Sequence, residues 1–277
     1  MIAGAELSGE CVEKVDGSDQ VSAGSRILYV TSCWPHDRSY GGQIRTLHIA
    51  RALAQVGDVT LAVVGADPVD AESKQRTAAE FSVLGEWDLR PTRVRGVRAL
   101  VRVFVDLRFV NVHGLAIDAQ SEVEFLSAVE GQFDLIWFSK LRTANYFRRA
   151  QWKGSVVDID DLPSSASRTS GRLAGCVDRL RGWAWHQAFR VHERRLKRRF
   201  DVLAVCSEAD REVLGGDLDV HVIPNGFERP KDEPPRHPAS PPRIGFIGLM
   251  EYEPNRDGVR WFLEQCWPQL RDRIPEI

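Results

Sequence analysis

The sequence predicts an α/β fold in which a Rossmann-like parallel sheet carries helices on both of its faces. Two observations predict it. Short runs rich in Val, Ile and Leu recur along the 277 residues, and such runs are typical of strands buried on both faces. Helical patterns separate these runs, and strands that alternate with helices pair in parallel within one sheet.

The first β-α-β unit is the clearest of these patterns. A strand is predicted at 26–33, and the pair Gly41 and Gly42 precedes a helix whose apolar residues recur at helical spacing up to residue 54. Gly57 ends this helix, and a second apolar strand follows at 58–64. Such a unit implies parallel pairing and a right-handed crossover.

The alternation continues through the rest of the first domain. Residues 94–110 alternate Arg with apolar side chains and fit either a helix or a strand. The other patterns predict helices at 71–83, 141–150 and 172–199, a short helix that starts at Ser207, and strands at 133–138, 155–159, 201–205 and 220–224.

Composition shifts divide the chain into four segments. Residues 1–25 are polar, acidic and rich in Gly and Ser, which predicts a disordered tail and does not fit a signal peptide. The first domain spans 26–226, and a Pro-rich linker follows at 227–242. Residues 243–277 predict a strand at 243–248 and an amphipathic helix at 256–271, which is the incomplete start of a second Rossmann-like domain.

The charge and the cysteines narrow the class of protein. The net charge of −2 gives no electrostatic basis for binding nucleic acid, and no apolar run reaches the length of a membrane span. The five cysteines are far apart and have no metal-ligand spacing, so we expect free thiols in a reducing compartment. These features predict a cytoplasmic location.

Four motifs together resemble the family 4 glycosyltransferases, which have the GT-B fold of two facing Rossmann-like domains. The resemblance spans roughly residues 26 to 274. Its motifs are Gly41-Gly42 before a helix that carries Arg45, the step Val205-Cys-Ser207-Glu208, the boundary Ile223-Pro-Asn225-Gly226, and Ile247-Gly248 followed by Trp261-Phe262.

The resemblance implies a reaction and its partners. A nucleotide-sugar donor would transfer its sugar to the hydroxyl of a saccharide or lipid-linked acceptor, with retention, in polysaccharide or glycoconjugate biosynthesis. No cofactor and no metal would be needed. In such enzymes the second domain supplies most groups that hold the donor, and this region is not in the sequence. We therefore expect little or no transferase activity from this chain alone.

The glycine pair and Arg45 are candidates for binding phosphate. Gly41 and Gly42 let the backbone approach a ligand closely, and a helix N-terminus offers free N–H groups to an anion. In similar enzymes this loop lies under the donor diphosphate and near the acceptor. Arg45 would neutralise phosphate or an anionic acceptor. The alternatives are a flexible turn and a solvated surface arginine.

The acidic loop after the strand at 155–159 is the candidate catalytic site. Many relatives place a His here that contacts the transferred sugar, whereas this sequence has Asp160 and Asp161. Either could accept a hydrogen bond from the acceptor hydroxyl or act as a base. The alternatives are a capped turn, a metal-binding Asp-x-Asp pair formed by Asp158 and Asp160, and His36 of the first loop, which would face the cleft instead and bind donor or acceptor.

Further binding residues follow from the resemblance. Ser207, Glu208 and Asn225 would lie along the donor or acceptor cleft, and Asn225 also begins the hinge to the second domain. Gly248 would start a loop that approaches the donor phosphates. This loop lacks the Lys that many relatives have there.

The Arg-rich helix at 172–199 has two interpretations. Its aromatic residues, among them Trp183, Trp185 and Phe189, would pack on the sheet. A basic, aromatic helix would also suit a peripheral contact with the inner face of a membrane that holds a lipid-linked acceptor.

Two other classes of protein compete with the glycosyltransferase. One is a non-catalytic module that binds an acceptor or a partner, which includes half of a split enzyme. The other is a nicotinamide-dependent Rossmann enzyme, but the first strand is not followed by the Gly-x-Gly-x-x-Gly sequence that such enzymes use.

Overall fold

The computed structural model describes residues 24–36, 41–91, 115–147, 151–160, 162–164, 176–215, 219–226 and 239–277. The chain divides into two compact units, Met1–Gly226 and Phe227–Ile277, which we describe separately.

The first unit contains a seven-stranded parallel sheet, which confirms the predicted α/β fold. Helices connect most of the strands. In chain order the elements are β1 Ser25–Thr31, α1 Gly41–Leu53, β2 Gly57–Val64, α2 Ala71–Glu80, β3 Ser82–Trp87, β4 Arg90–Pro91, β5 Leu115–Ala116, α3 Ala119–Val129, β6 Leu135–Phe138, α4 Leu141–Ala144, β7 Ser155–Ile159, α5 Cys176–Glu193, a 3-10 turn Leu196–Arg198, β8 Val202–Val205, α6 Glu208–Leu214 and β9 Val220–Val222.

The strand order is β3-β2-β1-β6-β7-β8-β9, and β4 pairs with β5 in a separate antiparallel ribbon. The chain builds outwards from β1 in one direction through β2 and β3, and then returns to the other side of β1 with β6. The order therefore reverses between β1 and β6. In open α/β sheets, ligands bind outside the carboxyl ends of the strands at such a reversal.

Both faces of the sheet are buried, which explains why its central strands are continuously apolar. Leu28 and Val30 contribute to one core with residues of α3, α4 and β6, whereas Ile27 and Tyr29 face α1 on the other side. Successive side chains of a strand point to opposite faces, so a strand covered on both faces needs apolar residues at every position.

An aromatic cluster fills the first of these cores. Its rings belong to Phe125, Phe138, Phe147, Trp152 and Phe200, and neighbouring centroids lie 4.6–6.5 Å apart, mostly edge to face. Such contacts add to the free energy gained by burying the rings. The cluster joins α3, β6 and the segment before β8, and so holds these elements together on this face of the sheet.

Several predicted boundaries in the first unit were wrong. The helix predicted at 71–83 ends at Glu80, because Phe81 takes an extended backbone and buries its ring, and β3 follows. The predicted tail reached Ser25, where β1 begins. The helix predicted at 141–150 is the four-residue α4, and α5 ends at Glu193 before the 3-10 turn. Residues 1–23 and 94–110 lie outside the described residues.

The second unit contains a helical segment but not the predicted strand. Residues Glu253–Trp261 form α7, Phe262–Cys266 continue it as a π-helical stretch, and Trp267–Arg273 form α8. Residues 243–248 have no regular structure, and Ile247 is fully exposed. A strand needs a neighbour for its backbone hydrogen bonds, and residues 239–277 contain no second strand that could pair with this one.

Within the described residues, no helix combines the length and the apolar character that a membrane span requires.

Candidate functional site

The carboxyl edge of the sheet brings together residues from four strand ends. Ser32 follows β1, Lys140 closely follows β6, Asp160 follows β7 and Cys206 follows β8. All these strands are parallel, so the residues that follow them emerge at the same edge. The candidate site therefore starts at the reversal between β1 and β6 and extends across β7 to β8.

Arg45 lies within the protein interior and binds two other segments of the chain. It projects from the second turn of α1, and its Nε and Nη2 donate to the two carboxylate oxygens of Asp158 at 3.0 and 2.7 Å. Its Nη1 donates to the carbonyl oxygen of Ile223 at 2.9 Å and to Oδ1 of Asn225 at 3.0 Å. The two charged side chains are only 7% and 1% exposed. Three motifs of the sequence thus meet at one guanidinium.

Burial and charge act in opposition on this ion pair. Burial alone would lower the pKa of Arg45, but the hydrogen bonds and charge of Asp158 outweigh it and raise that pKa above its ordinary value. Burial raises the pKa of Asp158, and the Arg45 guanidinium opposes this rise. Without its partner, either charge would therefore be costly to keep in the interior.

Asp160 is held more loosely and stays accessible. Its carboxylate lies 3.6 Å from Nζ of Lys140, and the two side chains are 24% and 20% exposed. The Sγ of Cys206 donates to the backbone carbonyl oxygen of Asp160 at 2.8 Å. The backbone at Asp160 is therefore anchored while its carboxylate faces partly towards solvent, as a group that meets a substrate must.

Four buried polar atoms without a hydrogen-bond partner belong to residues that follow β1 and β6 in the chain. Ser139 follows β6, and its backbone N–H donates to the carbonyl oxygen of Val30 in β1 at 2.9 Å, so the two strand ends touch. The unpaired atoms in this region are Ser32 Oγ, Ser139 Oγ, Thr143 Oγ1 and Asn145 Oδ1. Each unpaired buried group costs about 1–3 kcal/mol. Such groups concentrate where a water or a ligand completes the network.

The glycine pair forms the start of α1. The helix begins at Gly41, and its first turn contains no acidic residue. The N–H groups of a first turn lack partners within the helix, so this end can accept an anion. The pair was predicted to precede this helix, whereas both glycines lie in its first turn, and Arg45 directs its own charge elsewhere.

His36 lines a separate small pocket. This pocket has a volume of about 100 Å³ and lies where the first loop meets α1 and α2. Its lining residues are Pro35, His36, Leu47, Arg51, Arg76, Thr77 and Glu80. The structure therefore groups His36 with residues of α1 and α2.

Ser207 and Glu208 have structural contacts. Ser207 is the N-cap of α6: its Oγ accepts from the backbone N–H of Asp210 at 3.2 Å and donates to the Asp210 carboxylate at 2.6 Å. Glu208 forms an exposed pair with Arg211. These contacts account for a Ser-Glu step at a helix start without reference to a ligand.

Gly248 belongs to the second unit, and Asp161 lies outside the described residues. A side chain at position 248 would place its Cβ 2.8 Å from the Asn255 amide and 2.9 Å from the Phe246 ring. Glycine suits position 248 because these two side chains lie where a Cβ atom would otherwise be.

Lys140, Cys206, Ser32 and Ser139 were not predicted from the sequence. Each lies one or two residues after the end of a strand of the sheet. This position in the sequence is the signal that could have identified them. Among the described residues, no group of three or more His, Cys, Asp or Glu side chains is arranged to hold a metal ion.

Comparison with known proteins identifies no family: no protein-family model matches the chain, and no curated protein matches it.

Proposed function

We propose that this protein is a glycosyltransferase that uses a nucleotide-sugar donor in polysaccharide or glycoconjugate biosynthesis, and that the first unit binds the acceptor. The observation that carries the proposal is the carboxyl edge at the β1/β6 reversal. There the accessible carboxylate of Asp160 lies at the same edge as buried, unpaired hydroxyl groups. The resemblance of four motifs to family 4 glycosyltransferases supplies the reaction.

Each group at this edge has a task in such a reaction. The acceptor hydroxyl oxygen bonds to the anomeric carbon, the bond from that carbon to the diphosphate breaks and releases the nucleoside diphosphate, and the hydroxyl proton passes to the Asp160 carboxylate. Asp160 accepts a hydrogen bond from that hydroxyl and orients it. The N–H groups in the first turn of α1, at Gly41 and Gly42, would offer partial positive charge to the departing diphosphate.

The contacts of Asp158 argue against the metal-binding alternative. An Asp-x-Asp metal site would need carboxylate oxygens of both Asp158 and Asp160. Both oxygens of Asp158 already accept hydrogen bonds from Arg45, inside the protein. The proposed reaction therefore does not use a metal held by this pair.

Ligand binding tests the proposal. We would titrate the protein with UDP-, GDP- and ADP-sugars by calorimetry and screen mono- and disaccharides by saturation-transfer NMR. We expect one saccharide class to bind, and Asp160→Asn to weaken saccharide affinity about tenfold, as expected for a lost charge-assisted hydrogen bond. Asp219→Asn, at an exposed aspartate before β9, is the control. Binding of neither ligand class would refute the proposal.

A membrane location extends the proposal. Trp183 of α5 is 62% exposed, and Arg190, Arg194 and Arg195 near the end of this helix are also exposed. An exposed aromatic ring on a basic helix suits the interface of an anionic membrane. We therefore propose a peripheral location at the cytoplasmic face of the inner membrane, beside a lipid-linked acceptor. Trp183→Ala should reduce its cosedimentation with anionic vesicles, whereas neutral vesicles should bind neither form.

A second candidate function rests on the second unit. Ile244, Phe246, Ile247 and Leu249 are all at least half exposed in a segment without regular structure. Such an exposed apolar run favours a module that binds a protein partner. Phe246→Ser with Ile247→Ser would then abolish association with that partner in sedimentation velocity. This candidate takes precedence only if no donor and no saccharide binds the chain.

A further inference from the structure

We infer that Arg45 is a positioning residue: it fixes the carboxyl end of β7 and the segment after β9 against α1, and thereby holds Asp160 in place at the candidate site. The inference assigns Arg45 a role through other residues and not through contact with phosphate. The claim that Asp160 is held in place for an acceptor rests on the proposed function. The claim that Arg45 fixes these two segments against α1 does not.

The first argument is where the donors of Arg45 point. Nε, Nη1 and Nη2 all donate to acceptors inside the first unit, and these acceptors lie on β7 and after β9. The side chain is 7% exposed. A planar guanidinium can bind both carboxylate oxygens of Asp158 while its remaining nitrogen binds two further oxygens, which a lysine cannot do. Binding these four oxygens at once therefore requires an arginine at position 45, and a positive charge alone is not enough.

The second argument is the position of Asp160 relative to this pair. Asp160 follows Asp158 by two residues, so the chain between them has little freedom once Asp158 is fixed. On its other side, Asp160 is held by Cys206 Sγ at 2.8 Å and approached by Lys140 Nζ at 3.6 Å. The contacts with Arg45 and Cys206 therefore anchor the loop from both sides. Loss of the first contact leaves Asp158 buried without its partner and lets the loop move.

The third argument is a comparison within the same helix. Arg51 also makes a two-point pair, with Glu80 at 2.6 and 3.1 Å, but these side chains are 42% and 39% exposed. An exposed pair contributes little to stability. Arg51 therefore provides a matched control with the same chemistry on the same helix, whose ion pair is with α2.

Cys206 provides a readout that needs no substrate. Its thiol contacts the Asp160 carbonyl, and it is not in a disulfide. We would compare wild type, Arg45→Lys and Arg51→Lys, and measure the alkylation rate of each cysteine by peptide-resolved mass spectrometry. Cys33, which is buried, reports on opening of the core, and Cys266 in the second unit is an internal reference. Urea unfolding would establish that each variant is folded under the labelling conditions.

We expect Arg45→Lys to raise the alkylation rate of Cys206 about tenfold, because local opening exposes the thiol, while Cys33 and Cys266 keep their wild-type rates. Arg51→Lys should change none of the three. Asp158→Asn, which keeps the size of the side chain, should reproduce the effect, and it decides the question if Arg45→Lys does not fold.

Two results would overturn the inference. One is a Cys206 rate in the folded Arg45→Lys or Asp158→Asn variant that equals that of wild type. The other is an equal rise in Arg51→Lys. A rise confined to Arg45 and Asp158 variants of a protein that binds no donor or saccharide would support the positioning role and refute the proposed function, so the two failures are distinguishable.

Discussion

Arg45 and Asp158 lie 113 residues apart in the chain and form a buried two-point ion pair with N–O distances of 3.0 and 2.7 Å. Removal of one partner leaves the other charge buried, whereas removal of both leaves none. The stability of single and double variants should therefore differ in a characteristic way.

We expect Asp158→Ala to lower the free energy of unfolding by about 3–5 kcal/mol, because Arg45 then remains charged and buried. The double variant Arg45→Met with Asp158→Leu should recover much of this loss. Urea denaturation measures both. A double variant that is no more stable than Asp158→Ala would contradict the prediction.

Ser207→Ala should lower the free energy of unfolding by about 1 kcal/mol, the usual effect of losing an N-cap oxygen. The change leaves the backbone N–H of Asp210 without its acceptor. Ser207→Thr keeps a hydroxyl and should lie close to wild type. Thermal unfolding monitored by circular dichroism checks this, and an unchanged melting temperature in the alanine variant would show that water replaces the cap.

Acid should weaken the start of α3. Hydrogen bonds from the backbone and side chain of Ser121, and then from the backbone of Gln120, lower the pKa of Asp118 below its ordinary value. Between the lowered and ordinary values the unfolded state binds more protons, so stability rises with pH there. The contribution is complete above the ordinary pKa and is lost as pH falls through the lowered one.

Asp118→Asn should flatten this dependence, because an asparagine still caps the helix but does not titrate in this range. Urea midpoints measured from about pH 6 down to about pH 2 cover the window in which the carboxylate protonates. Wild type and variant curves that run parallel through this window would assign the acid sensitivity to other groups.

Phe138→Ala should destabilise the first unit by about 3–5 kcal/mol, the range for truncating a buried aromatic ring. Phe138 is fully buried, and its ring contacts those of Phe147, Trp152 and Phe200. Phe138→Leu refills part of the cavity and should lose less. Chemical denaturation gives the free energy of unfolding of the wild type and both variants. Equal losses for Ala and Leu would indicate that the ring contacts, and not the side-chain volume, determine stability at this position.

The sequence predicts the central strands because both of their faces are buried, and it fails where burial is incomplete. β3 is an edge strand with Ser82, Gly85 and Glu86 among its six residues, so no apolar run marks it. Residues 243–248 show the reverse: the apolar run is present, but no neighbouring strand exists among residues 239–277 to pair with it.

The candidate site was predictable only in part. The motifs that contain Arg45, Asp158 and Asn225 stand out in the sequence, but their mutual contact depends on where strands settle in the sheet. Chain order does not reveal that a guanidinium on α1 reaches β7 and the segment after β9. Lys140 belongs to no motif, and Cys206 lies in the Val205-to-Glu208 step without a predicted role. Only the strand order brings the two towards Asp160.

The separation of Asn225 from Arg45, 180 residues along the chain, has a consequence for the order of events during synthesis. Contacts between such distant residues close the largest loops and form after local ones. A nascent chain can fold β1, α1 and β2 early, but the network around Arg45 must wait until Asn225 has left the ribosome. Incomplete chains therefore lack the assembled site, and its appearance coincides with completion of the first unit.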